Sequence, residues 1–145
     1  MSDLVKVISK YWGWTGIEPV HVAAQNDFGN LLVQDADGRF WRICPEDLYC
    51  NVVAESVEEV QALVQTEEFE EDWLMTRLVN LAVEEYGSLK DGFKFYLVTP
   101  GPLGGAYSVE NIRSAPTEEV IGLSGDIANQ IKDLPDGAQV EIKVQ

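Results

Sequence analysis

The sequence predicts a single α+β domain in which a mainly antiparallel sheet, wound as a meander, packs against three to four helices. Three observations predict it. Between residues 19 and 54, apolar and polar positions alternate with the two-residue period of strands, interrupted by short turn sequences. Outside that stretch, apolar residues recur at the spacing of one helical face. The chain is 145 residues long and 46% hydrophobic, and a domain of that length buries about 70% of its unfolded surface around one core. No low-complexity linker or repeat divides it. Three regions of one domain are expected: 1–54 as an N-terminal helix and meander, 55–86 as acidic helices, and 87–145 as a β-loop-β-α-β unit.

Leu4, Val5, Ile8 and Tyr11 form one apolar stripe on a helix over 3–11, with Ser2 or Asp3 as N-cap and Gly13 and Gly16 at its end. Trp12 and Trp14 are expected where this helix meets the sheet. A strand at 20–24 opens the meander, and Asn26-Asp27-Phe28-Gly29 turns it. Strands at 30–34 and 39–44 flank Asp35-Ala36-Asp37-Gly38, whose Asp-Gly pair is a strong hairpin signal. Pro45-Glu46-Asp47 turns the chain into a strand at 48–54. Ser56 with Glu59 three residues later is the pattern of a capping box, ahead of a helix carrying Val57, Val60, Leu63 and Val64. One long helix is expected over 68–86, where Leu74, Met75, Leu78, Leu81 and Ala82 share a face, and Gly87 closes it. A strand at 93–98, a Gly- and Pro-rich loop at 99–105 and a returning strand at 107–113 follow. Thr117 is expected to cap a helix reaching Lys132, with Val120, Ile121, Ile127, Ala128 and Ile131 inward. Leu134-Pro135-Asp136-Gly137 then leads to a last strand at 139–144.

Charge narrows the function classes. Twenty-five Asp and Glu against ten Lys and Arg leave a net charge of −15. Such a surface repels phosphate backbones and anionic membranes, so no direct nucleic-acid or membrane binding is expected. It suits rapid capture of a basic partner. No apolar run of about 18 residues is present to span a membrane, and the N-terminus lacks the apolar segment of roughly 7–15 residues that a secretory signal needs. A cytoplasmic protein is expected. Cys44 and Cys50, six apart without C-x-x-C spacing, are expected to be reduced core residues.

Chemistry finds few candidates. His21 lies between Val20 and Val22 with no acid or nucleophile at a recognisable spacing. One histidine and two separated cysteines do not make an ordinary zinc site. Asp27, Asp35 and Asp37 lack the ligand spacing and distal Glu of a calcium loop. Gly101, Gly104 and Gly105 fit neither phosphate-cradling glycine pattern. No catalytic, cofactor-binding or metal-ligating residue is assigned. One cluster remains: Glu55, Glu58, Glu59, Glu67, Glu68, Glu70, Glu71 and Asp72, eight acids in eighteen residues with no base among them. It reads either as the solvated outer face of two helices or as a landing surface for a basic protein, and composition leaves both open.

The C-terminal half carries a resemblance. Tyr86-Gly87, Gly92-Phe93 and Pro102-Leu103-Gly104-Gly105-Ala106-Tyr107-Ser108-Val109-Glu110-Asn111-Ile112-Arg113 resemble a bacterial domain that forms the C-terminal part of immunity proteins. Those proteins neutralise toxins delivered by type VI secretion, DNase toxins among them. Gly125-Asp126-Ile127-Ala128 and Leu134-Pro135-Asp136-Gly137 are similar to the same family, so the resemblance covers about residues 70–145. The Phe28-Gly29-Asn30 meander resembles its N-terminal portion more loosely.

The resemblance implies a cognate protein toxin as partner, with a basic active-site cleft, a DNA or nucleotide substrate and inhibition by occlusion. It implies no cofactor. The residues expected to bind the toxin are the eight acids of 55–72, with Asp35 and Asp37 as a second edge. The rival is a small-molecule-binding or regulatory module, in which Trp12, Trp14, Trp41 and loop 100–105 form a pocket. An enzyme is the third reading; it requires a cleft that places His21 beside two carboxylates, and none is expected, so no catalytic activity is expected.

Overall fold

The computed structural model describes residues 3–134, and the strand expected at 139–144 lies outside them. The first helix, α1 (Asp3–Trp12), buries Val5, Ile8 and Trp12 on one stripe. Four strands follow: β1 (Pro19–Gln25), β2 (Leu31–Asp35), β3 (Phe40–Cys44) and β4 (Tyr49–Ala54). They lie in sequence order, each antiparallel to the next, which is the expected meander. The turn after β1 is held by Asn26, whose Oδ1 accepts the backbone N–H groups of Phe28 and Asn30 at 3.0 and 2.9 Å. Gly38 takes the left-handed conformation (φ 86°) that the tight β2–β3 hairpin requires.

Four helices come after β4: α2 (Val57–Val64), α3 (Glu67–Leu74), α4 (Thr76–Tyr86) and α5 (Thr117–Ile131). Between α4 and α5, β5 (Phe93–Leu97) and β6 (Ile112–Pro116) pair antiparallel as a second small sheet.

Strand alternation sorts the core into layers. Leu31, Val33, Trp41 and Ile43 point to one face of the large sheet, against Ile8 and Trp12 of α1 and Ile121 and Ala128 of α5. Leu32 and Phe40 point to the other face, beside Ala54 of β4, where Val60 of α2 and Phe69 and Trp73 of α3 cover them. A third cluster joins Phe28 to Leu78 and Ala82 of α4 and to Phe95, Leu97 and Ile112 of the small sheet. The fold is α+β, and no helix among the described residues is long and apolar enough to cross a membrane.

Local differences from expectation have physical reasons. The single helix expected over 68–86 is two, because Met75 adopts a left-handed conformation (φ 48°, ψ 40°) between α3 and α4. Phe69 and Trp73 turn toward the large sheet, whereas Leu78 and Ala82 face the small one. One straight helix cannot serve both cores. The return strand begins at Ile112 rather than 107, because Asn111 is used as a clamp. Its Nδ2 donates to the carbonyls of Thr99 and Ala106, and its Oδ1 accepts from the Thr99 N–H, all at 2.9 Å. Gly105 sits inside that clamp, where an added Cβ would lie 1.6 Å from the Thr99 carbonyl oxygen.

Thr117 is the first residue of α5, not its cap; its N–H and hydroxyl both donate to the Gly92 carbonyl. Ser56 caps α2 by accepting from the Glu59 N–H at 3.2 Å, while the Glu59 carboxylate accepts from the Glu55 N–H, one residue beyond the usual capping box. Trp12 packs at the helix–sheet junction as expected and donates its indole N–H to Ile121. Trp14 stacks on it from outside and stays exposed.

Candidate partner-binding surface

The acidic run starts at the end of β4 and covers α2 and α3. Glu55, Glu58, Glu59, Glu67, Glu68, Glu70, Glu71 and Asp72 are all exposed. The structure therefore places seven of the eight expected residues on two consecutive helices on one side of the large sheet, with Glu55 in the turn that leads into them. Thr66 caps α3 by accepting from the Phe69 N–H, and Glu67, Glu68 and Glu70 occupy its first turn, where the positive end of the helix dipole favours them.

No α3 side chain is fully buried, so what holds this helix matters. Phe69 and Trp73 stack on each other at 5.6 Å and lie over the Arg42 guanidinium, at 5.9 and 5.3 Å. Arg42 comes from β3 and is itself buried. Its Nη1 pairs with the Asp72 carboxylate, while Nε and Nη2 donate to Asn30 Oδ1 at 3.0 and 2.9 Å. The Asn30 amide in turn donates to both oxygens of Glu46, and the Cys44 thiol donates to Glu46 Oε1 at 3.1 Å. Burial pushes the Glu46 carboxyl above its ordinary pKa, although the bonds from Cys44 and Asn30 pull it back. At the far end of α3, Asn26 Nδ2 donates to the Trp73 carbonyl at 2.8 Å. A buried polar chain thus runs from the Glu46 turn, through Arg42, to the acidic surface.

Sequence reasoning missed this chain. Asn30, Arg42, Glu46 and Asp72 are scattered in sequence, and the one visible hint was an arginine in an otherwise apolar strand pattern.

Asp35 and Asp37 occupy the β2–β3 hairpin. Phe40 pairs with Ala54, so this turn lies at the end of the sheet where the acidic run begins. Asp37 is exposed, with its side chain 81% accessible. Asp35 is buried: one oxygen accepts the Asp37 and Arg39 N–H groups, the other Arg39 Nε and Trp41 Nε1, at 2.8–3.0 Å. Its carboxylate holds the turn together.

The other candidates are placed as clearly. Cys44 and Cys50 are free and buried, and burial raises both thiol pKa values, that of Cys50 to about 11. Trp12 and Trp41 fill the core cluster between sheet and α5, and loop 100–105 rests on the Glu46–Asp47 turn. His21 is exposed on β1 and lines a hollow of about 620 Å3 together with Asp3 and Glu118. That hollow sets a histidine beside two carboxylates, but no hydrogen bond orients His21 toward either.

Comparison with known proteins agrees with this architecture. The chain matches the crystal structure of Atu4351 from Agrobacterium tumefaciens with a TM-score of 0.57 and 19% identity, over 84% of this chain and 62% of that one. The chain therefore spans a little under two thirds of that protein's length, and the likeness is one of fold. No curated protein is similar enough to count as a match. The family described as T6SS immunity protein Tdi1, C-terminal, matches residues 54–128, from the last residue of β4 into α5 and including the whole acidic surface. The chain belongs to this family of type VI secretion immunity proteins.

Proposed function

We propose that the protein neutralises a cognate type VI toxin that acts on DNA or a nucleotide, using the outer face of α2 and α3 to close the toxin's basic active-site cleft. The observation that carries the reading is that the family-matching span contains all eight exposed acids of 55–72. A cleft that binds phosphates is cationic, and a rigid helical face of the opposite sign competes for it. Complementary fields also speed encounter by about 10 to 1,000-fold, which suits an inhibitor that must act before its target does. Asp37 extends the negative surface at the adjoining hairpin.

Co-expression with the product of the adjacent gene, as the toxin candidate, tests the role. Survival and a stable complex are the expected outcome, and continued killing without a complex would sink the immunity reading. Glu67→Lys, Glu68→Lys, Glu70→Lys and Glu71→Lys combined test the surface. Stopped-flow association at low salt should slow by about tenfold or more and lose most of its salt dependence. An unchanged rate would remove the acidic face from the mechanism while leaving immunity intact.

A further inference from the structure

On the opposite side of the large sheet from α2 and α3 lies a hollow of about 750 Å3 between α1, α5 and the small sheet. Its apolar walls come from Val7 and Tyr11 of α1, Tyr96 of β5 and Leu123 of α5. Glu118, Glu119 and Asp126, spaced along one face of α5, supply carboxylates, against Lys10 as the single cation. None of these acids has an ion-pair partner among the described residues, and neither do the Tyr11 and Tyr96 hydroxyls have a hydrogen-bond partner there. Lys10 lies over the Tyr11 ring instead.

Glu118 also lines the neighbouring hollow of about 620 Å3, which runs past Asp3, His21 and Gln25 along β1. Among the described residues β1 is an edge strand of the sheet, and edge strands offer backbone N–H and C=O groups to an extended chain. We infer that this trough is a docking site for an extended segment of a partner protein, one that carries Lys or Arg side chains beside Leu-like ones.

Each part of the trough selects one property of that segment. Four carboxylates, Asp3, Glu118, Glu119 and Asp126, select the cations. The Tyr and aliphatic walls bury the apolar side chains and the methylene stems of the basic ones. The first hollow alone is of a size that holds a small molecule; taken together with its neighbour along β1, which shares Glu118 with it, it fits a polypeptide instead. The inference stands apart from toxin capture by the acidic helices, because it uses the other face of the sheet.

Isotope-labelled full-length protein, titrated with the capped peptide acetyl-Leu-Arg-Leu-Lys-Leu-amide, tests it by NMR. Saturable shifts are expected at Val7, Val22, Tyr96 and Leu123. Binding should weaken about tenfold in the Glu118→Gln/Asp126→Asn double variant, the effect of losing two partly exposed ion pairs. Replacing the peptide's leucines with serine should weaken it similarly. Absence of saturation, or shifts confined to residues 67–74, would overturn the assignment. Spermidine binding the trough as tightly as the peptide would also overturn it, in favour of a free organic cation.

Discussion

Asp35 carries four donors on one carboxylate. Truncating it to alanine leaves the Trp41 indole N–H without its acceptor inside the protein and unties the Asp37 and Arg39 backbone from the turn. Asp35→Ala is expected to lower unfolding free energy by about 1–3 kcal/mol at neutral pH, measured in urea. Burial raises this carboxyl's pKa, but the bonds from Trp41, Arg39 and Asp37, with the Arg39 charge, outweigh it and hold the pKa below the ordinary 3.8. As pH falls, the unfolded chain therefore takes up its proton first. The stabilisation stands in full above about 3.8 and is lost below it, so wild type and variant should converge in strong acid. At this scale the sequence is half legible. The Asp-Gly pair announces the hairpin, but Trp41 reaches Asp35 only after the chain has turned and paired, which no local pattern records.

Helix α3 depends on a strand for its position. Arg42→Met keeps most of the apolar stem while removing the cation beneath Phe69 and Trp73, the ion pair to Asp72 and both donors to Asn30. Global stability should fall by about 1–3 kcal/mol, and hydrogen exchange should report a larger loss of protection in 67–74 than in α1 and α5, which share only the global loss. Asp72 is two-thirds exposed, so its lost partner adds little to that figure. Unchanged protection in α3 would show that the arginine is not its anchor. The break at Met75 teaches the same lesson from the other side. Residues 74–82 keep an unbroken helical period, and neither Gly nor Pro marks the corner. Only the existence of two separate cores, which the sequence does not state, forces the chain to bend there.

The whole molecule knits the family-matching span to what precedes it. Phe28 sits in the cluster of α4 and the small sheet, and α5 packs on Ile8 and Trp12. We therefore expect a fragment of residues 54–128 to show no cooperative thermal unfolding by circular dichroism, while the full chain does. A sharp transition in the fragment would mean that the region folds independently. The α+β class was readable because strand and helix periods occupy different stretches. The layering was not: all five residues of β3 are buried, so helices on both faces erase the alternation that would have identified a solvent side.

One consequence follows from the absence of a fully buried side chain in α3. Substitutions at Glu67, Glu68, Glu70 and Glu71 disturb none of the three core clusters. Under the function proposed above, the outward face of this helix can be rewritten to match a different toxin without rebuilding the fold beneath it. Arg42, fixed between Asn30 and Asp72, keeps the helix seated while that happens. The proposed recognition surface and the residues that hold the fold are thereby separate sets in the same small protein.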